Sequence, residues 1–420
     1  MTQTLEYRQL GDEYDEIFHE YTGYAFDPTS GPAEYDPDDD DGWEEADRRG
    51  LVPAGDGPDE RPRTICAHYW FEGRLRGEWR STPGLSAVAT PPEYRREGHV
   101  TRLLEESLAE YRDRDAICSL LWPFKHRFYR DHGWATVAAY RRYTATTEAL
   151  AFARSRLDDP GTYRRLEADD YEVLEGPFEE HAARYGCSVR RSEAWWRNRV
   201  FESLRTDPYV YAWERDGEVR AYLSFTIEGD WGERTLKARD FLALDYEGLY
   251  ALCAFGANHD SQVDTVQFGL PCDVDLIDVV PDPEDVECER KRGAMGRLVD
   301  AETALPALAD SALPDQAPAN STATDRTHGA VILDIADPLV DWNDRPMRLE
   351  ADGERVRCEP ATGGSAPTVS LDIGTLTQLA VGARSASELE RAGSLDGPPE
   401  AVSVLEEWFP PEPTYLGTGF

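Results

Sequence analysis

Ser86-Ala87-Val88-Ala89-Thr90-Pro91-Pro92-Glu93-Tyr94-Arg95-Arg96-Glu97-Gly98-His99-Val100-Thr101 is the most informative stretch of this chain. Leu85 to Thr90 reads as a strand, and Pro91-Pro92 ends it, because proline has no amide to donate to a ladder. A sharp turn holding R-x-x-G follows. Beyond it Val100, Leu103, Leu104, Leu108 and Tyr111 recur at helical spacing, which predicts an amphipathic helix from about Gly98 to Arg114. Strand, turn and helix in this order suit a bound pyrophosphate. The first amides of a helix are unpaired and carry the positive end of its dipole. Gly98 permits close backbone approach, and Arg95 and Arg96 add positive charge. The strand edge at Val88, Ala89 and Thr90 offers backbone groups to a ligand's amides, while Glu97, His99, Val100 and Thr101 complete the turn and the helix start. The same pattern also serves an ordinary strand-to-helix turn with solvated arginines.

Working outward, Thr64 to Phe71 and Leu75 to Arg80 read as strands, with Glu72-Gly73 as the turn of a hairpin between them. An acidic insert, Asp36 to Asp41, precedes them. Ala116 to Trp122 reads as a buried strand, Phe128 and Tyr129 as part of a short helical turn, and Thr136 to Tyr143 as a last strand. From about residue 149 the order recurs. Tyr209 to Glu214 and Glu218 to Ile227 flank Asp216-Gly217. Phe241 to Leu244 is a strand, Glu247 to Asn258 a helix, and Thr265 to Leu270 a strand. Two copies of one α/β unit are the expectation. At the place of the arginine turn the second copy reads Leu244-Asp245-Tyr246-Glu247-Gly248-Leu249, acidic where the first is basic. A third, α+β segment begins near Arg297, after which Ala309 to His328 reads as a mobile linker. Val331 to Ile335, Met347 to Glu350, Arg355 to Glu359 and Thr368 to Ile373 read as strands, with Asp352-Gly353 as one turn. Leu376 to Ala380 and Ala386 to Ala392 read as helices. The expected domains are 1–148, 149–295 and 296–420.

Acidic residues number 82 against 44 basic ones, a formal net charge of −38. The acids are spread over the chain, and only Lys125, Lys237 and Lys291 are lysines. A spread acidic surface poor in lysine fits solubility in molar salt, where the Debye length falls to about 3 Å. It argues against nucleic-acid binding, which needs a basic stripe. The 7 cysteines form no C-x-x-C pair, so zinc, haem and disulfide-framework readings fail, and reduced, mostly buried thiols are expected. No metal is expected. The N-terminus has neither a basic nor an apolar leader, and no apolar run reaches ~18 residues, so a cytoplasmic protein with no membrane span is expected.

The Ser86–Thr101 stretch resembles the acetyl-CoA signature of the Gcn5-related N-acetyltransferases. More narrowly, the chain resembles the enhanced intracellular survival family. In that family two acetyltransferase-like domains precede a C-terminal domain resembling sterol carrier proteins. The resemblance covers nearly the whole chain. It rests on ATPPEYRREGHVTRLL and WPFKHRFYRDHGW, on Met295-Gly296-Arg297-Leu298-Val299-Asp300, on Asp341-Trp342-Asn343-Asp344, and on a chain ending in phenylalanine. It implies acetyl-CoA bound by the first domain, a primary-amine acceptor, and a homo-oligomer, a hexamer by the family's habit. Carried over, it makes Tyr129 the general acid and the terminal carboxylate of Phe420 the general base. The chemistry is coherent, since the amine must lose a proton and the leaving thiolate gains one. The apolar, proline-stiffened run from Phe409 to Leu416 favours a docked tail. Asp27, Trp43 and Glu44 are candidates for lining the amine site. His126 and His132 read as surface histidines. A non-catalytic acyl-CoA- or lipid-binding scaffold is the rival reading.

Overall fold

In a computed structural model of the chain, the residues described are 4–32, 35–36, 45–55, 60–203, 206–311, 329–352, 355–363, 365–417 and 419–420. They fall into two compact units. Met1–Val137, Ala294–Glu412 and Phe420 form one, and Ala138–Gly293 with Pro413–Gly419 form the other.

The first unit holds a seven-stranded sheet in the order Leu5–Gln9, Ala46–Pro53, Thr64–Tyr69, Gly84–Ala89, Cys118–Leu121, Met295–Leu298 and Ala135–Thr136. Its neighbours are antiparallel except for Gly84–Ala89 and Cys118–Leu121, which run parallel. A parallel pair needs a crossover, and the helix His99–Asp113 supplies it. That helix buries Leu103, Leu104, Leu108 and Tyr111 in one cluster with Leu51, Cys66, Leu85 and Tyr129. The second unit repeats the order with Thr162–Leu166, Tyr209–Arg215, Glu218–Glu228, Thr235–Ala243, Thr265–Pro271, Ala139–Thr146 and Val286–Arg292. Its parallel pair, Thr235–Ala243 with Thr265–Pro271, brackets the helix Tyr246–Ala257. The first unit also contains a five-stranded sheet in the order Val356–Pro360, Pro346–Ala351, Gly329–Ala336, Thr368–Asp372 and Leu395–Asp396. The expected fold class, two like α/β domains followed by a small α+β domain, is the one observed.

Several local expectations change. The hairpin does not turn at Glu72-Gly73. Thr64–Tyr69 pairs with Ala46–Pro53 and Gly84–Ala89 instead, and Glu72–Leu75 pairs with Glu78–Ser81 across Arg76-Gly77. Both turn residues have positive φ, 52° and 81°, as the tight two-residue hairpin requires. Arg76 holds this conformation through its side chain. Its Nε donates to the Ala380 carbonyl at 2.7 Å, its Nη2 to Leu379 at 2.8 Å, and its Nη1 to Pro410. These carbonyls include the open end of the helix Ile373–Ala380. Second, the strand expected over 136–143 is two strands. Ala135–Thr136 lies in the first unit's sheet and Ala139–Thr146 in the second's. Third, Ile373 starts a helix, because the Asp372 carboxylate accepts the Thr375 amide at 2.6 Å and caps it. The helices Asp15–Phe26 and Pro399–Trp408 were not anticipated. Ala309 to Ser311, expected within the linker, instead end the helix Ala301–Ser311. The acidic insert beyond Asp36, the linker beyond Ser311 and Gly353 of the Asp352-Gly353 turn lie outside the described residues.

Arg76→Ala would take the charged donor from the Ala380 and Pro410 carbonyls, while the Leu379 carbonyl keeps the Gly382 amide at 3.0 Å. Such bonds contribute about 1.5–3 kcal/mol each and orphaned acceptors add a penalty, so a loss of about 3 kcal/mol is expected in urea unfolding. Lysine should restore only part of it, since its ammonium puts all its donors on one nitrogen and cannot match the spacing of the planar guanidinium fork. A change within experimental error would mean that these carbonyls are hydrated.

Candidate active site

Gly84–Ala89 pairs with Cys118–Leu121 at one position only, Gly84 opposite Leu120. Beyond it the two parallel strands make no ladder, so the facing edge of Gly84–Ala89 has no strand partner among the described residues. A bulge at Ala87, with φ of 50°, accompanies a register shift against the Thr64–Tyr69 strand, and bulges re-aim a strand in this way. The chain then passes through a short 3₁₀ turn, Pro92–Tyr94. The Thr90 carbonyl accepts Arg95 Nε at 2.8 Å, and Arg95 lies 5.5 Å over the Tyr24 ring. Arg95 therefore braces the turn. Arg96 and Gly98 both take left-handed φ, 65° and 81°. Among the described residues Arg96 is exposed and makes no hydrogen bond or ion pair. No side chain caps the helix His99–Asp113. Its first backbone bond from this end runs from the Arg102 amide to the Gly98 carbonyl at 3.1 Å. The amides of His99, Val100 and Thr101 thus remain open at a helix N-terminus, an anion-binding geometry. Glu97 lies 3.1 Å from His99 Nε2.

The second copy differs at this point. Asp245 caps its helix by accepting the Gly248 amide at 2.8 Å, and Arg220 donates to the same carboxylate at 2.6 Å. Glu247 pairs with Arg215. A carboxylate already occupies the place an anion would take.

Tyr129 sits in the helix His126–Arg130 and is 4% exposed. Phe124, Phe128 and Trp134 lie edge-on around it at centroid distances of 5.5, 5.2 and 6.2 Å. Burial, and then the neighbouring Cys66 thiol, push its phenol above the ordinary tyrosine range, so it stays protonated at neutral pH. His132 is half-buried and joins this helix to the signature helix. Its Nδ1 bonds the Phe128 carbonyl at 2.8 Å, and its Nε2 bonds the Thr101 hydroxyl at 3.0 Å. The surface reading of His132 is replaced by this bridging one. Tyr129 shares a core cluster with Leu85, with Val88 packed against it.

Phe420 reaches the same strand. Ser86 Oγ donates to the main-chain oxygen of Phe420 at 3.0 Å, and the Phe420 ring packs against Phe71 at 5.0 Å and Tyr69 at 5.9 Å. Gly84 leaves room for it, since a Cβ there would lie 2.6 Å from Phe420 Cε2. Asp27 accepts from Thr29 and Ser30 hydroxyls at 3.2 and 2.8 Å. Trp43 and Glu44 lie outside the described residues. None of the 7 cysteines is joined in a disulfide, and 5 of them are buried. Sequence reasoning did not find Arg76, Asp337 or the part played by Arg297. The Arg76 carbonyl partners lie 303 and 304 positions away, and Arg297 pairs with Asp337 across 40 positions and with His132 across 165, so no local signal marks these pairs.

Three families match the chain. Residues 6–137 match an acetyltransferase (GNAT) domain, residues 187–298 a second acetyltransferase (GNAT) domain, and residues 319–417 a sterol carrier protein domain. An uncharacterized N-acetyltransferase of Streptomyces griseus is 26% identical over 216 residues, 47% of this chain and 52% of the relative. The chain thus aligns with about half the length of that relative. Another from Streptomyces avermitilis is 26% identical over 399 residues, covering 87% of this chain and 88% of the relative. A probable N-acyltransferase from Enterococcus faecalis superposes over 100% of both chains with a TM-score of 0.81 at 23% identity. Eis1 from Mycobacterium abscessus superposes with a TM-score of 0.72 at 20% identity, over 99% of this chain and 100% of its own. The architecture is therefore two tandem acetyltransferase-type domains and a sterol-carrier-type domain. No helix among the described residues is long and apolar enough to cross a membrane.

Proposed function

We propose that this chain is an acetyl-CoA-dependent N-acetyltransferase acting on a primary amine, with its site in the first domain. The observation that carries the reading is the splayed strand followed by the uncapped helix start at Gly98–Thr101. The open amides of 99–101 and the free Arg96 guanidinium would hold the pyrophosphate, and the unpaired edge at Val88–Thr90 would hold the pantetheine amides. The amine nitrogen attacks the thioester carbon, so a C–N bond forms and the C–S bond breaks. The terminal carboxylate of Phe420 takes the proton the amine loses, and Tyr129 protonates the departing thiolate. Supporting this assignment, Tyr129 and Phe420 both pack against the Gly84–Ala89 strand.

Calorimetry with acetyl-CoA should give one site per chain, because Asp245 fills the matching position in the second copy. Arg96→Glu should weaken binding at least about tenfold, since it reverses a charge at the phosphate position. Two equal sites per chain would sink the reading. A panel of primary amines assayed for CoA release in molar KCl, a solvent suited to a net charge of −38, tests the activity itself.

A further inference from the structure

The MGRLVD motif and the Asp341–Asp344 motif have no part in the chemistry above, yet the structure brings them to the general acid. Arg297 lies on the Met295–Leu298 strand, between Cys118–Leu121 and Ala135–Thr136, and its side chain is 0% exposed. Nη2 donates to both carboxylate oxygens of Asp337, at 2.7 and 2.6 Å. Nη1 donates to the carbonyl of His132 at 2.9 Å. That carbonyl belongs to the turn that ends the Tyr129 helix. In the same turn the His132 and Trp134 amides both donate to the Tyr129 carbonyl, at 3.1 and 3.0 Å. Gly133 takes φ of 89° there, and a Cβ on it would collide with the Arg297 guanidinium.

Asp337 is itself fixed. It accepts the Leu339 and Val340 amides at 3.0 and 3.3 Å and Asn343 Nδ2 at 3.1 Å. Asn343 in turn binds the Ala301 amide and the Val299 carbonyl, at 2.9 and 3.1 Å. The sterol-carrier-type domain makes a second contact with the same stretch. Gln378 Nε2 donates to the Thr136 carbonyl at 2.8 Å, and Thr377 Oγ1 accepts the Leu298 amide at 2.9 Å. Burying a guanidinium costs charge hydration and pulls its pKa down, an effect the Asp337 carboxylate opposes. A neutral residue would fill the space without that cost. What a charged fork provides instead is simultaneous hold on the Asp337 loop and on the His132 carbonyl.

We propose that Arg297, anchored by Asp337, is a positioning residue for Tyr129, and that the sterol-carrier-type domain thereby forms a structural part of the acyl-transfer site. The inference rests on the general-acid reading of Tyr129. Arg297 sets the turn from Tyr129 to Gly133, and through His132 the link to Thr101 at the start of the signature helix.

The test uses the full chain. Arg297→Lys keeps a cation for Asp337 but cannot fork to His132, and Asp337→Asn keeps the shape while removing the charge. Melting temperature is measured first, because breaking a buried pair destabilises. The Asn variant serves if the Lys variant does not fold. In the folded variant kcat is expected to fall by about ten- to a hundredfold, the scale of a misplaced catalytic group. KM for acetyl-CoA should stay within about twofold. Amide exchange should rise across residues 126–134. In a Tyr129→Phe background the same substitution should cost almost nothing further, because the group it positions is gone. An equal loss in both backgrounds, or faster exchange at 126–134 with unchanged kcat, overturns the positioning role. Unchanged turnover in Tyr129→Phe alone overturns the general-acid reading instead, and the inference falls with it.

Discussion

Tyr129→Phe is expected to lower turnover by about 10²–10⁴-fold, the usual worth of a general acid, while leaving acetyl-CoA affinity unchanged. The substitution removes one oxygen and keeps the ring that packs against Phe124, Phe128 and Trp134. Folding should therefore survive, and the loss should fall on kcat and not on KM. The pH profile adds a sign. Burial raises the phenol's pKa, which means the neutral, proton-carrying form is favoured and persists above the ordinary tyrosine value of about 10. Activity of the parent enzyme should thus show no loss from phenol ionisation between neutral pH and about pH 10. Any alkaline limb in that range would belong to another group. Turnover equal to the parent's at every pH would show that Tyr129 only packs.

The strand, turn and helix of the signature were legible because their causes are local. Pro91-Pro92 ends the strand, Gly98 takes a left-handed φ, and the Leu103, Leu104, Leu108 and Tyr111 spacing fixes the buried face. The Asp216-Gly217 turn was legible for the same reason, both residues having positive φ. The Arg76-Gly77 turn was not. Arginine is a poor left-handed residue, and what holds it there are carbonyls more than 300 positions away, with separations of 303 and 304 for Leu379 and Ala380. The helix Asp15–Phe26 hid for another reason. Its buried residues Phe18, Tyr21 and Thr22 are spaced helically, but their types favour strands. The split at Val137 and Ala138 has no marker in composition, because an apolar run reads the same whether it serves one sheet or two. Among candidate site residues, Arg95 shows the limit of motif reading. The sequence gives it the same role as Arg96, whereas its bond to Thr90 and its stacking on Tyr24 make it a brace.

A two-glycine extension after Phe420 is expected to stop transfer, because the proposed base is the Phe420 carboxylate, a position and not a side chain. The Ser86 hydroxyl holds the main-chain oxygen of Phe420 at 3.0 Å, and the rings of Tyr69 and Phe71 pack against Phe420. An extension replaces that carboxylate by a neutral amide and carries the charge beyond this pocket. Deleting Phe420 shifts the carboxylate by one residue, about 3.5 Å along the chain, further than proton transfer tolerates without an intervening water. Gly84→Ala should do the same indirectly, since its Cβ would meet Phe420 Cε2 at 2.6 Å and Phe71 Cε2 at 2.7 Å. Acetyl-CoA binding should survive the extension and the deletion, because the open amides of His99, Val100 and Thr101 take no bond from the tail. The opposing view makes the tail a strap only. It has support in the second unit, where the Gly186 amide donates to the Pro413 carbonyl at 2.8 Å and the Tyr415 amide to Gly186 at 2.9 Å. A strap predicts that extension is harmless and that truncation lowers the melting temperature. The base predicts loss of kcat in both, with the melting temperature of the extended chain unchanged. Turnover and melting in molar KCl separate the two, and full activity in the extended chain would return the base to a side chain or to water.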